Sequence, residues 1–410
     1  MSIHISDNYI GYSNGGTLSP LFYGRYANQN NYFPLRNRII NGNFIVNQIS
    51  PTITPVNVTT RYFTIDRWWT LGTVGSKFST QVVADGPTPT TVYYSSRRGG
   101  NIYPGTAINT CVEIKSLAST TLGATDSYTF GQNIEGRHIA DMQFGTNTNL
   151  NYIMLSFWSK ASQTGSYSVC LQNSAQNRRN HQLFTVGTAN SWEYQELWFT
   201  VDQTGTWLND INTGLRVVFN LGAGTSNRGT TAYNTWATTS TELASSSITS
   251  IHLVNTLNAT LRLTGIQVEL VQGGAQSRLM ASPFETRGFQ QELDLCKRYF
   301  QKSWAYGTDP GTQTTYGMRL HTDLQLSSVQ HYQLWRWPVP MRAAPTVQVY
   351  GYASPGNAGY CYAWGNSISG LGDYTASTAG VSRYGAMFYM TASVTHTMTG
   401  YHFKADAEPT

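Results

Sequence analysis

The chain has 410 residues, too many for one ordinary β-domain, and 40% of them are hydrophobic, which is enough for more than one core. Only 11% are charged, against roughly 25% in an average globular protein, so Thr, Ser, Asn, Gln and Gly must cover the surface. The formal net charge of +5 includes no run of Lys and Arg, which argues against nucleic-acid binding.

The cysteine pattern and the first residues bear on location. Cys111, Cys170, Cys296 and Cys361 are widely spaced without a CxxC pair, which is typical of small buried side chains made in a reducing cytosol. The start MSIHISDNYIGY has no basic and apolar signal regions. No apolar stretch approaches the ~18 residues of a membrane span. We therefore expect neither signal-peptide export nor membrane insertion.

Residues 1–36 are rich in Asn, Gly, Tyr and Phe and show neither helical nor strand periodicity. A segment of this kind cannot bury its aromatic side chains alone, so we expect it to order against a partner. We interpret it as an N-terminal attachment arm.

Residues 37–284 contain many short runs of strand character separated by Gly, Asn, Asp, Pro and Ser, the pattern of a β-sandwich. Among these runs are residues 39–46, 62–69 and 152–159. Asn41, Gly42 and Asn43 predict a turn in which the glycine can take a positive φ. Asp66 and Arg67 are expected to form a buried or half-buried hydrogen-bonded pair beneath the tryptophans that follow them.

The segment LRLTGIQVEL predicts an irregular strand. Leu261 and Leu263 share one face, whereas Ile266 and Val268 share a face only after a change of phase at Gly265. The glycine therefore predicts a β-bulge or a close approach of another backbone.

Residues 285–304 contain the one convincing helical pattern, and we interpret them as a linking helix. Phe289, Leu293, Cys296 and Phe300 recur at helical spacing and predict a single apolar stripe. Lys297 and Arg298 near the end suit the negative pole of a helix dipole.

Residues 305–410 return to short strand runs and predict a second, smaller β-sandwich. The segment QVYGYASPGNAGYCYAWG resembles a hairpin, and its aromatic residues alternate so that they share faces. The aromatic residues that could form a carbohydrate platform are Trp335, Trp337, Tyr350, Tyr352, Tyr360, Tyr362 and Trp364. The same rings could instead fill the core or a subunit interface.

A series of segments in fixed order resembles a family of bacteriophage tail-fibre and virion-appendage proteins. The segments are RNRIINGNFIVNQ, YFTIDRWW, FGQNIEG, NYIMLSFWSKASQTGSYSV, TGIQVELVQGG, ASPFETRGFQQELDLCKRYFQ and VPMRAAPTV. The resemblance implies an all-β chain in which a jelly roll like that of carbohydrate-binding modules precedes the helix and the second sandwich. We expect no cofactor. Modules of this kind can bind a structural calcium ion near the first and last strands, where Asn43, Asp66 and Glu269 could contribute oxygens, but the sequence has no loop dense in ligands.

The resemblance further implies a virion fibre that forms a homotrimer. Such a fibre is made in the host cytoplasm and released by lysis. Residues 1–36 would bind other tail, neck or baseplate proteins, and the sandwiches would bind host polysaccharide. We found no catalytic motif in the sequence. One alternative is a purely structural neck or capsid fibre or cement protein. A polysaccharide depolymerase, which would need a carboxylate pair from residues such as Asp141, Glu193, Glu196 or Asp210, is disfavoured.

Overall fold

The computed structural model is nearly all β. It describes residues 3–6, 9–12, 36–50, 54–56, 61–88, 93–95, 100–102, 107–146, 151–239, 243–246, 250–272, 280–322, 330–353, 358–364, 370–391 and 397–409. Contacts divide the chain into a unit of residues Met1–Arg36 and a unit of residues Asn37–Thr410. In the first unit, strand β1 (Ile3–Ser6) pairs antiparallel with β2 (Tyr9–Tyr12). The finer domain boundaries given above remain predictions.

Residues from 54 to 272 form a jelly roll of two facing sheets, with strands numbered in chain order. Sheet 1 has the order β13-β12-β15-β10-β5-β4. Its strands are β4 (Tyr62–Ile65), β5 (Trp68–Gly72), β10 (Ser127–Glu135), β12 (Gly165–Asn173), β13 (Arg179–Val186) and β15 (Thr213–Ala223). All neighbouring strands in this sheet are antiparallel.

Sheet 2 has the order β3-β6-β9-β18-β11-β14-β7-β8. Its strands are β3 (Thr54–Val56), β6 (Phe78–Val83), β7 (Tyr93–Ser95), β8 (Gly100–Ile102), β9 (Cys111–Ser116), β11 (Asn151–Ala161), β14 (Glu193–Thr200) and β18 (Thr260–Gln272). From β9 to β12 the chain crosses to the other sheet at every connection, as expected for a jelly roll. A short parallel pair, β16 (Arg228–Gly229) and β17 (Ala244–Ser245), lies outside both sheets.

Alternating apolar residues of the two sheets meet in one core. Trp68 stacks on Phe130 within sheet 1, with ring centroids 5.0 Å apart. Phe157 of sheet 2 packs edge-on against Phe219 of sheet 1 at 5.2 Å. Short 3₁₀ helices occupy connections at Gly136–His138, Ala140–Met142, Thr225–Asn227 and Leu253–Asn255.

The predicted bulge in β18 is confirmed. The pairing with β11 shifts by one residue at Gly265, whose φ is +60°. Because of this shift, Leu261 and Leu263 on one side and Ile266 and Val268 on the other all enter the same core. One extra residue therefore explains the change of phase in the sequence.

Two local predictions are wrong in part. Residues 39–46 do not form a strand, because the side chain of Asn41 bonds both the N–H and the carbonyl of Val46 at 3.0 and 2.7 Å. In the NGN turn the positive φ belongs to Asn41, at 59°. Gly42 is needed instead for close approach, since a Cβ there would lie 2.2 Å from the carbonyl oxygen of Ile266.

Helix α1 spans Phe289–Lys297 and is shorter than the predicted 285–304. Leu293 and Cys296 are buried, but Phe289 is 47% exposed and packs edge-on against Tyr306. Phe300 belongs to a strand. The buried face of the helix is therefore only about two turns long. No helix among the described ranges is long and apolar enough to span a membrane.

The rest of the chain forms a second, smaller β-sandwich. Sheet 3 has the order β19-β26-β23-β24-β25-β21, and β20 and β22 also pair with β26. Its strands are β19 (Phe300–Lys302), β20 (Arg319–His321), β21 (Gln330–Arg336), β22 (Thr346–Tyr350), β23 (Tyr360–Trp364), β24 (Gly370–Ser382), β25 (Gly385–Thr391) and β26 (Met398–Asp406). Its core contains Trp337, Val349, Phe388 and Phe403.

Buried ionic contacts connect the two sandwiches. Glu135, which is fully buried at the end of β10, accepts two hydrogen bonds from Arg298 at 2.8 and 2.9 Å. The hydroxyl of Tyr299 donates to the same carboxylate at 2.5 Å, and Arg137 lies 3.1 Å away. The end of the helix is thereby fixed to sheet 1.

Arg67 makes the second connection. Its guanidinium donates to the carboxylate of Glu408 and to the carbonyl of Asn133, and it lies 3.4 Å from the ring centre of Tyr299. Asp66 instead accepts hydrogen bonds from Gln48, so the predicted Asp66–Arg67 pair is wrong. Arg67 has a φ of +72° in the turn between β4 and β5, and the two neighbouring side chains bind different parts of the chain.

Replacing Glu135 by Gln should lower the free energy of unfolding by about 2–3 kcal/mol. This is somewhat below the ~3–5 kcal/mol of a fully buried pair, because the Arg298 side chain is 17% exposed. Burial opposes ionisation of Glu135, but hydrogen bonds from Arg298 and Tyr299 and the Arg298 charge lower its pKa below 4.5. The carboxylate therefore stabilises the fold above pH 4.5, and this contribution is lost as pH falls through the folded-state pKa.

Urea unfolding of Glu135→Gln and the wild type at about pH 7 and about pH 3 measures both effects. The difference between the two proteins should shrink at the lower pH. Asp294→Asn is the control, because Asp294 is 45% exposed on α1 and should contribute less than ~0.5 kcal/mol. Equal losses for the two variants at neutral pH would contradict the role given to Glu135.

Candidate functional site

The predicted platform residues separate into buried and partly exposed groups. Trp337 is 5% exposed, packs on Phe403 at 5.6 Å and donates from Nε1 to the carbonyl of Ser382. Trp335 also packs on Phe403, at 5.9 Å, and Arg319 covers its ring at 3.9 Å. These two rings share a face, as predicted, but that face is directed into the core of the second sandwich.

Tyr350 is also buried. It is 6% exposed and meets Trp304 edge-on at 5.3 Å, and Trp304 in turn stacks on His402 at 4.3 Å. The segment after β19 covers this group, since Thr312 accepts a hydrogen bond from the Trp304 indole. Tyr350 therefore fills the interior rather than a binding surface.

Tyr352, Tyr360 and Tyr362 lie on the opposite side of sheet 3 from the core and are partly exposed. Tyr352 and Tyr362 meet edge-on at 5.5 Å. The alternation along β23 is as predicted, because Cys361 and Ala363 between these tyrosines are buried. The side chain of Trp364 lies outside the described residues.

The predicted hairpin between β22 and β23 is wrong apart from one isolated bridge between Tyr350 and Ala358. Both strands pair instead with β26, whose nine residues are long enough for both. Residues 402–406 of β26 pair with β22, and residues 398–400 pair with β23. The C-terminal strand therefore organises the sheet, which short-range turn signals could not reveal.

A small pocket of about 30 Å³, partly open to solvent, lies beside β21 and β25. None of the six predicted aromatic residues whose side chains are described lines it. Its lining residues are His321, His331, Tyr332, Gln333, Val349, Cys361, Ala376, Phe388, Tyr389, Met390, Thr399 and Tyr401. Apolar core side chains thus share this pocket with histidines, a glutamine and tyrosines.

Two polar atoms in this pocket are suited to bind a ligand. The hydroxyl of Tyr401 and Oε1 of Gln333 are buried and form no hydrogen bond with the residues that the structure describes. Burial raises the pKa of Tyr401, so its hydroxyl stays protonated and can donate. The pair therefore offers one donor and one acceptor to a polar ligand.

An aromatic surface lies on the other side of the same two strands, because Tyr332 alternates with Gln333 along β21 and pairs with Tyr389 of β25. Tyr332 is 52% exposed and lies 5.6 Å from Tyr389, with the rings tilted. Leu334, two residues further along the edge strand β21, is 67% exposed. A sugar ring presents an apolar face that stacks on aromatic planes and hydroxyls that hydrogen-bond to groups such as Tyr and Gln. The two sides of the edge strand β21 therefore offer the two kinds of contact that a sugar needs.

The alternation in QHYQLWR could have revealed this surface. Exposed and half-buried residues alternate along β21, with Tyr332 and Leu334 on the exposed side. The sequence pattern favoured the larger tryptophans, which lie on the side facing the core. Which side of an edge strand faces the core depends on its partner, here β25, and that pairing is not visible locally.

The predicted calcium ligands are used within the protein. The Asp66 carboxylate accepts from the backbone and side chain of Gln48 at 2.5 and 2.7 Å, and burial raises its pKa. Glu269 accepts two hydrogen bonds from Ser282, at 2.7 and 2.5 Å. The backbone carbonyl of Asn43 accepts from Thr110.

These contacts do not fit a calcium site, which takes six to eight oxygen ligands. Within the described ranges, no group of three His, Cys, Asp or Glu side chains could hold a metal ion.

Trp337→Ala should lower the free energy of unfolding by about 3–5 kcal/mol, because it removes a large buried side chain. Tyr332→Ala should change it by less than about 1 kcal/mol, because half of that ring is already in water. Chemical denaturation of the two variants checks this division between core and surface aromatics. Comparable losses would mean that Tyr332 also supports the fold.

Comparisons with known proteins leave the family open. No family model and no curated protein matches the chain. Solved structures that are similar include the enzymatically active domain of tailspike protein 4 from bacteriophage CBA120, with a TM-score of 0.27 and 11% identity over 58% of this chain and 22% of that one.

Two other similar structures are carbohydrate-binding modules. TmCBM61, in complex with β-1,4-galactotriose, gives a TM-score of 0.26 and 11% identity over 58% of this chain and 99% of that one. The family 11 module from Clostridium thermocellum, in complex with a mixed-linked tetrasaccharide, gives a TM-score of 0.24 and 9% identity over 53% of this chain and 95% of that one. Similarities of this size support no conclusion about function. Any such conclusion depends instead on the residues described above.

Proposed function

We propose that the chain is a non-enzymatic binding protein of a bacteriophage virion that recognises polysaccharide on the host cell. The observation that carries glycan binding is the strand pair β21 and β25, which has the partly exposed rings of Tyr332 and Tyr389 and a pocket where the Tyr401 hydroxyl and Gln333 Oε1 have no hydrogen-bond partner among the described residues. The virion part of the proposal is supported by the ordered sequence segments that resemble phage appendages.

The carboxylates named for a depolymerase support a binding role rather than hydrolysis. Asp141 pairs with Arg38 at 2.5 Å, and Glu193 accepts from the backbone N–H groups of Gly187 and Thr188. A glycosidic acid and base must face the same sugar across a groove, whereas these carboxylates bind the protein's own chain.

In the proposed virion, residues 1–36 dock on a tail, neck or baseplate protein and the two sandwiches extend toward the cell. Three copies would form a fibre, which would multiply weak single sites. Such multiplicity raises overall affinity by factors of ~10² to 10⁴ without any new contact. A fibre made in the host cytoplasm would reach the medium on lysis.

The double variant Tyr332→Ala/Tyr389→Ala should weaken binding to host cells by about tenfold or more, because each ring contributes roughly 1 kcal/mol of stacking. Labelled protein is incubated with host cells before and after periodate oxidation of their surface glycans, and bound fluorescence is measured. Binding by the wild type should be lost after periodate. Tyr316→Ala is the matched control, since Tyr316 is 77% exposed outside the pocket.

Wild-type protein that is folded yet does not bind cells would favour a purely structural neck or capsid component. Release of reducing ends from host polysaccharide would favour a depolymerase. Binding that survives the double variant would place the glycan site elsewhere on the chain.

A further inference from the structure

The outer side of sheet 3 carries a line of hydroxyl-bearing side chains across four neighbouring strands, β23, β24, β25 and β21. Cys361, Ala376 and Phe388 pack in the core of the second sandwich, so the residues that alternate with them share the outer side. We refer to six of these outer residues as the tyrosine path. They are Tyr362 and Tyr360 of β23, Thr375 and Ser377 of β24, Tyr389 of β25 and Tyr332 of β21.

Strand register makes the tyrosine path continuous. On one side of β24, Thr375 lies opposite Tyr360. On its other side, Ser377 lies opposite Tyr389, which in turn lies opposite Tyr332. Thr375 and Ser377 are both exposed. A diagonal line across the four strands therefore has aromatic rings at both ends and small hydroxyl side chains in the middle.

A carboxylate lies beside one end of the path. Asp373 of β24 is opposite Tyr362, and its Oδ1 accepts from the backbone N–H of Ala353 at 3.2 Å. Its Oδ2 is buried and forms no hydrogen bond with the residues that the structure describes. Gly351 makes room for this carboxylate, since a Cβ there would lie 2.3 Å from Oδ1. Because an acceptor without a donor is costly to bury, Oδ2 is suited to accept from a ligand hydroxyl.

Each end of the path has two partly exposed rings. Tyr362 meets Tyr352 edge-on at 5.5 Å, and Tyr332 lies 5.6 Å from Tyr389. Aromatic planes of this kind stack on the apolar face of a sugar, while carboxylate and hydroxyl groups bind its hydroxyls. Both kinds of contact therefore occur on one side of the same sheet.

The dimensions of a sheet give the length of the path. Neighbouring strands lie ~4.8 Å apart and residues rise ~3.3 Å along a strand, so the path from Tyr362 to Tyr332 is roughly 20 Å long. One hexose of a linear chain extends about as far as one strand spacing of ~4.8 Å, so the path holds about four. A single terminal sugar would use only one of the two ring pairs.

We propose that the tyrosine path binds an internal segment of a linear polysaccharide, about four sugar residues long, rather than a terminal sugar. This rests on the proposed function, since the segment belongs to the host polysaccharide. The rings at the two ends of the path stack on different sugars of the same chain. Thr375 and Ser377 bind hydroxyls between them, and Asp373 accepts from a hydroxyl of the sugar at Tyr362.

The test is isothermal titration of the full-length protein with a disaccharide and with a hexasaccharide, both released from the host polysaccharide by partial acid hydrolysis. The hexasaccharide should bind at least tenfold more tightly, because it is long enough to reach both ring pairs at once. The second contact is then intramolecular and adds affinity at little further cost.

Two variants separate the ends of the path. Tyr360→Ala/Tyr362→Ala should weaken hexasaccharide binding about tenfold and should bind the two oligosaccharides to within about twofold of each other. Asp373→Asn keeps the shape of the side chain and should weaken hexasaccharide binding about fivefold, because a charge-assisted hydrogen bond is lost. Tyr62→Ala is the control, since Tyr62 is 46% exposed on β4 of sheet 1, and it should bind as the wild type does.

Equal affinity of the wild type for the two oligosaccharides, or hexasaccharide binding unchanged in both variants, would overturn the tyrosine path. Circular dichroism and a thermal melt confirm that each variant is folded, and Asp373→Asn gives an independent answer if the double tyrosine variant is not. Absence of length dependence with periodate-sensitive cell binding intact would leave the proposed function standing without the path. Failure of both oligosaccharides and of cell binding would contradict the proposed function as well.

Discussion

The buried carboxylate of Glu135 is the contact on which the arrangement of the two sandwiches depends. It ends the central strand β10 and receives hydrogen bonds from Arg298 and Tyr299, which directly follow helix α1. A buried charge of this kind requires its partners, because a carboxylate left alone in the interior would be strongly destabilising. Both donors follow the end of the helix, so the pairing ties the position of that end to β10.

The same contact links the remaining polar residues of the junction. Tyr299 supplies the ring on which Arg67 lies, and Arg67 reaches Glu408 at the end of the described chain. Glu408 follows β26, the strand that both β22 and β23 use as a partner. The geometry of sheet 3, including the pocket beside β21, is therefore connected through β26 to sheet 1.

The sequence allowed the fold class to be predicted because the relevant signals are local. Alternation and turn residues identified most strands, and the change of phase at Gly265 located a bulge correctly. Long-range pairing was not accessible in this way. Asp66 and Arg67 are neighbours in the chain but bind residues 18 positions and 341 positions away. The exposed side of β21 likewise depends on β25, so the sequence favoured the tryptophans over Tyr332.

The low charge of the chain suits the proposed contact with glycan. Many of its acids and bases are paired internally, as Arg178 is with Asp202 and Arg262 with Glu113, and the rest of the surface depends on amides, hydroxyls and aromatic rings. Such a surface suits the stacking and neutral hydrogen bonds proposed for sugar contact, which distinguish one hexose from another only weakly. The same scarcity of charge leaves no broad positive field of the kind that attracts nucleic acid.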